Sequence, residues 1–142
     1  MLKFERIKLS DRAWLEPLLR RETLLGCEYT FANLYAWSSV YHAAVCPVDD
    51  GYAIRTGRHK FSYLFPVARA SETILEKLFE DAWQHQQPLR LHSLTKDLRD
   101  LVEELYPGRF VFEEKRNNFD YVYSAENLIH LPGKKYHSKR NH

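Results

Sequence analysis

Apolar positions along this chain recur at two spacings, and the switch between them divides it into elements. Trp14, Leu15, Leu18 and Leu19 share one face of a helical repeat, and Ser10-Asp11 before them offers an N-cap. Pro17 inside this run should kink the helix or delay its start. A second short helix is predicted over residues 31 to about 39, with Phe31, Leu34 and Tyr35 on one side. The clearest helix carries Ile74, Leu75, Leu78, Phe79, Ala82 and Trp83, with Ser71 as its cap and Pro88 beyond its end. Thr95 caps another helix bearing Leu98, Leu101, Val102 and Leu105, which Pro107-Gly108 stops.

Strand-like runs fill most of the rest. Residues 3–9 alternate without a cleanly apolar face, and residues 43–48, 52–56, 60–67 and 89–92 are short β-favouring stretches. Asp49-Asp50-Gly51 and Gly57-Arg58-His59 supply turn chemistry between them. Residues 109–114 and 119–124, on either side of Lys115-Arg116-Asn117-Asn118, read as a final hairpin. Residues 125–131 read as a helical turn before Pro132-Gly133. The order β-α-α-β-β-β-α-β-α-β-β predicts an α+β fold, a mixed and mainly antiparallel sheet flanked by helices.

Composition agrees with a packed domain. The chain has 142 residues, 44% of them apolar and 28% charged, which excludes disordered and fibrous classes. Cys27 and Cys46 are the only cysteines, too few for a disulfide framework or a four-thiolate zinc site. His42 and Cys46, four apart, would share a face on a strand, but two ligands do not make a metal site and none is expected. No run approaches the apolar length of a bilayer span, and residues 1–6 lack a signal-peptide layout, so a cytoplasmic location is expected. Charge is unevenly placed. Lys134, Lys135, Lys139 and Arg140 give residues 133–142 a charge of +4, whereas the remaining 17 basic and 19 acidic residues sum to −2.

Three strings carry a resemblance: residues 27–37 (CEYTFANLYAW), 118–128 (NFDYVYSAENL) and 133–142 (GKKYHSKRNH). They resemble a bacterial family similar to the C-terminal domain of phosphatidylglycerol lysyltransferase. The element order over residues 1 to about 124 also looks like the GNAT (acyl-CoA N-acyltransferase-like) fold. The resemblance implies two GNAT-like halves in tandem, of which this chain is the first. Residues 1–124 would be that half, and residues 125–142 a basic linker or the start of a missing second half. The implied chemistry is aminoacyl or acyl transfer, completed by the second half and absent from this one alone. The alternatives are a non-catalytic scaffold or interaction module and a free-standing small-molecule N-acetyltransferase.

In the fold so implied, coenzyme A diphosphate sits at the N-terminus of the helix after the fourth strand. Here that segment, residues 65–71, has no glycine; Pro66 removes an amide donor, Glu72 adds negative charge, and Arg69 offers one guanidinium. This half is therefore expected to hold no cofactor, while acyl-CoA or aminoacyl-tRNA would serve the whole protein. Glu28, Tyr29 and Asn33, at the joint of the first two helices, are substrate-binding candidates, Glu28 to orient an amine and Asn33 a carbonyl. The plainer account makes Tyr29, Phe31, Tyr35 and Trp37 core. Asp120 and Tyr121 on the expected last strand are further candidates, with Asp120 as a base or amine anchor. Lys134, Lys135, His137, Lys139, Arg140 and His142 are candidate contacts to tRNA or anionic lipid phosphates, with ring faces interleaved; a solvated linker is the alternative. The expected partner is the second half, or a second copy meeting the first through an unusually apolar surface or the last strand.

Overall fold

The structure is a computed structural model and describes residues 2–21, 26–66 and 71–140. It contains strands β1 (Glu5–Arg6), β2 (Ala44–Val48), β3 (Gly51–Thr56), β4 (Ser62–Leu64) and β5 (Leu91–His92). Its helices are α1 (Arg12–Arg20), α2 (Phe31–Tyr41), α3 (Ser71–Gln84), α4 (Lys96–Leu105), α5 (Ala125–His130) and α6 (His137–Arg140). The strands form one sheet in chain order, antiparallel except for the parallel pair β4–β5. A parallel pair needs a long crossover, and α3 lies within it.

Both faces of the sheet's centre are covered, and β2, β3 and β4 are apolar over most of their length. Val45, Tyr52, Ile54 and Leu64 join one core with Leu15 and Leu34 from α1 and α2. Their strand neighbours Cys46, Ala53 and Tyr63 join the other core with Ile74, Leu78 and Val102 from α3 and α4. The period of two thus sorts consecutive residues to opposite layers.

Caps set several boundaries. Thr30 accepts a hydrogen bond from the Asn33 amide at the start of α2, and Thr95 does the same for Leu98 at α4. The expected cap at Ser10-Asp11 works differently. Asp11 makes no side-chain cap bond; its carboxylate accepts from the Lys8 amide at 2.7 Å and from Trp14 Nε1 at 3.2 Å. Nor does Pro17 delay α1, which starts at Arg12 and runs through it.

Three expectations are corrected. The opening strand shrinks to Glu5–Arg6, because only these two residues meet β2. His42 does not lie on a strand with Cys46: it ends α2 in the left-handed region, φ 51°, and its Nδ1 accepts from Arg58. The final hairpin does not form a ladder. Residues 109–115 and 119–124 have no regular structure around a 3-10 turn at Arg116–Asn118. The reason is physical, since a two-stranded ribbon is marginal in water unless something packs on it. Residues 111–130 are exposed throughout.

One buried polar group ties the sheet to α3. The Asp81 carboxylate is 1% exposed and accepts from the Tyr63 hydroxyl at 2.7 Å. Arg55 approaches the same oxygen at 3.5 Å, its guanidinium held between the rings of Phe4 and Phe61 at 4.5 and 4.6 Å. Among the described residues, the second Asp81 oxygen, Oδ1, has no hydrogen-bond partner.

Candidate functional site

Two candidates that are far apart in the chain meet in space. A 3-10 turn at Cys27–Tyr29 precedes α2, and residue 120 passes beside it. Cys27 Sγ and carboxylate oxygens of Glu28 and Asp120 lie within 4.8 Å of one another. Gly26 borders the group. A Cβ there would stand 3.0 Å from Glu28 Oε2 and 3.8 Å from Asp120 Oδ2, so a side chain would crowd the carboxylates. Neither acid belongs to an ion pair among the described residues.

The electrostatics favour cations. Burial first, and then the charges of Glu28 and Asp120, push the Cys27 thiol up from its ordinary range. A thiol so held stays protonated, which argues against a thiolate nucleophile. Two carboxylates and a thiol are also three donors for a metal ion, but a closed tetrahedral zinc site needs a fourth. The arrangement suits an ammonium group, which asks for hydrogen-bond acceptors and negative charge rather than fixed coordination geometry.

Tyr29, the next residue, is turned inward. Its hydroxyl lies 3.2 Å from both the Phe65 and Ser93 carbonyl oxygens, as donor. These residues follow β4 and β5, so the phenol bridges the carboxyl ends of the parallel pair. Ligands in open α/β sheets enter at such ends. Burial pushes the Tyr29 phenol far above its ordinary range, which keeps its proton available for these carbonyls. Nearby, His92 sits between Thr56 Oγ1 at 3.2 Å and Ser93 Oγ at 3.1 Å. Burial pushes its imidazole down to about 4.

The other candidates fall as follows. Asn33 is half-buried and its amide serves the α2 cap, while Tyr121 is 88% exposed. Of the four aromatics read as core, Tyr29 and Phe31 are buried and Tyr35 and Trp37 exposed. In the basic segment, Arg140 donates to the Leu131 and Gly133 carbonyls at the end of α5. Lys135 Nζ lies 5.4 and 5.5 Å from the ring centres of Tyr123 and Tyr136. Lys134, His137 and Lys139 are exposed, and His142 lies outside the described residues. So do residues 67–70 of the glycine-free loop, Arg69 among them. Sequence reasoning placed Glu28 and Asp120 in separate proposals; no local signal joins residues so far apart. It also passed over His92, a lone histidine in a short strand.

No helix among the described residues is long and apolar enough to cross a membrane. Comparison with known proteins then places the chain. The crystal structure of a conserved protein of unknown function from Bacteroides thetaiotaomicron VPI-5482 is similar, with a TM-score of 0.91 and 29% sequence identity. The match covers 99% of this chain and 48% of that one, so this chain spans about half the length of that relative. No curated protein matches. The family model described as phosphatidylglycerol lysyltransferase, C-terminal, matches residues 20–142. The chain therefore belongs to the family of phosphatidylglycerol lysyltransferase C-terminal domains.

Proposed function

We propose that this chain is a GNAT-like unit that positions substrate for aminoacyl or acyl transfer and does not complete the reaction alone. The observation that carries the reading is the meeting of Glu28 and Asp120 beside Cys27, in a chain of a lysyltransferase family. An aminoacyl group bearing a side-chain ammonium has a cation that must be held while its ester is attacked. The two acids supply the negative charge for that hold, and fixing one end of a substrate converts binding into orientation at the reacting end. Transfer also requires a group that takes the proton of the attacking amine or hydroxyl. The Cys27 thiol donates to the Glu28 carboxylate and is held protonated, which supports a positioning role over nucleophilic attack. The phenol bridge between β4 and β5 supports it further, because it occupies the end of the sheet where a donor would enter.

Lysinamide, a soluble mimic of a lysyl ester, tests the reading. Titrated into the 142-residue chain and followed by NMR, it is expected to shift Cys27–Tyr29 and Asp120 with millimolar affinity. A Glu28→Gln, Asp120→Asn double variant is expected to weaken that binding at least about tenfold, and added salt to weaken it in the wild type. Shifts confined to other surfaces, or unchanged affinity in the double variant, would contradict the proposal.

A further inference from the structure

The outer side of α2 is apolar where a helix lying on a sheet is ordinarily charged. Phe31, Leu34 and Ser38 turn to the core, while Trp37, Val40 and Tyr41 form an i, i+3, i+4 stripe that is 48%, 58% and 58% exposed. Ala32 and Ala36 are exposed as well, and no Asp, Glu, Lys or Arg occurs between Glu28 and Asp49. The ring centres of Trp37 and Tyr41 stand 5.8 Å apart, so these side chains make one patch rather than scattered single residues.

Cations gather at the C-terminal end of the stripe. The turn between β3 and β4 is strapped there: the Gly57 amide donates to the Tyr41 carbonyl at 2.9 Å, and Arg58 Nε donates to His42 Nδ1 at 3.2 Å. Gln87 Nε2 braces the same turn by donating to the His59 carbonyl at 2.6 Å. Arg58, His59 and Lys60 are exposed, and residues 51–71 contain no Asp or Glu. Neither Arg58 nor Lys60 joins an ion pair among the described residues.

We propose that this face docks on an anionic lipid bilayer, with Trp37, Val40 and Tyr41 entering the headgroup region and Arg58 and Lys60 meeting its phosphates. Tryptophan and tyrosine suit that boundary because one end of each ring is apolar and the other polar. The charge is placed to match. An uncharged stripe bordered at one end by unpaired cations fits a surface with a charged boundary and an apolar interior, whereas a nucleic acid asks for cations along the whole contact. The orientation is fixed by the fold: α2 packs on one face of the sheet and α3 on the other, so a bilayer against Trp37 leaves the exposed Trp83 of α3 in water. The carboxylates of Glu28 and Asp120 stand beyond the N-terminal end of α2, whose 11 residues span about 16 Å, more than a Debye length from the cations. The inference stands apart from the reading of those carboxylates, and each can fail without the other.

Vesicles of phosphatidylcholine with one-third phosphatidylserine test this. At low salt they are expected to sediment the 142-residue chain and to release it as salt rises, and pure phosphatidylcholine vesicles to hold it far less well. With brominated acyl chains, tryptophan emission should fall in the wild type and in Trp83→Phe but stay level in Trp37→Phe. Trp37→Gln with Val40→Gln should weaken binding at least about tenfold, and so should Arg58→Gln with Lys60→Gln. The first pair should leave the thermal midpoint unchanged, because both side chains already face water. Equal binding by wild type and variants, or quenching that survives in Trp37→Phe, would overturn the proposal. So would a chain that ignores anionic vesicles at low salt, or one that dimerises through α2 without lipid, since the patch would then belong to a second copy.

Discussion

Single residues in this fold are governed by what burial does to their charge. His92 gives the clearest case. Its folded-state imidazole titrates near 4, against an ordinary value of 6.5, because the interior disfavours the cation. As pH falls from 6.5 towards 4, the unfolded chain takes up a proton that the folded chain refuses. Stability is therefore lost across that window, by about 3 kcal/mol at its lower end. Denaturant unfolding of wild type and His92→Gln at several pH values checks this. The variant, which can still bond Thr56 and Ser93, should show a flatter profile between 6.5 and 4, and an identical slope would refute the assignment. Glu16 acts in a lower window. The Arg12 and Arg20 guanidinium groups hold its carboxyl below the usual range, so its contribution fades only as pH drops through that depressed value. Such residues are poorly legible in a sequence. Nothing near His92 in the chain announces that Thr56 and Ser93 will enclose it. Glu28 and Asp120 were each visible as candidates, but their meeting was not.

Elements were far more legible, because periodicity and caps are local. The repeat from Ile74 to Trp83 yields α3, Thr95 caps α4, and the turn residues after Val48 and Thr56 separate β2, β3 and β4. Strand lengths were less so. A strand ends where its neighbour ends, and β1 and β5 stop at two residues because pairing stops there. The failed hairpin teaches the same lesson: alternation in residues 119–124 predicts the capacity to pair but not the presence of a partner. At this scale the tie between β3, β4 and α3 can be measured. Removing Arg55 leaves the buried Asp81 carboxylate with the Tyr63 hydroxyl at 2.7 Å and His85 Nδ1 at 3.8 Å. Arg55→Met is expected to cost about 3 kcal/mol in denaturant unfolding, and Asp81→Leu added to it should recover most of that loss. A double variant no more stable than the single would show that the charge is not the cause.

At the scale of the whole molecule, a mainly antiparallel sheet flanked by helices was legible from the element order. What the order could not show is how residues 111–130 leave the body. The packed layers end near Tyr106 and Phe110, whose rings meet Phe79 of α3 at 5.3 and 5.7 Å, and beyond them the chain runs exposed. It comes back to the body at Asp120, beside Cys27 and Glu28, and farther on Tyr136 is buried, its ring centre 6.3 Å from that of Tyr123. The acidic pair of Glu28 and Asp120 lies where this exposed stretch meets the body. The decisive measurement is turnover. The 142-residue chain, supplied with aminoacyl-tRNA or acetyl-CoA and an amine or lipid acceptor, is predicted to transfer nothing above the uncatalysed rate. Sustained transfer by this chain alone would mean that it performs the chemistry rather than preparing for it.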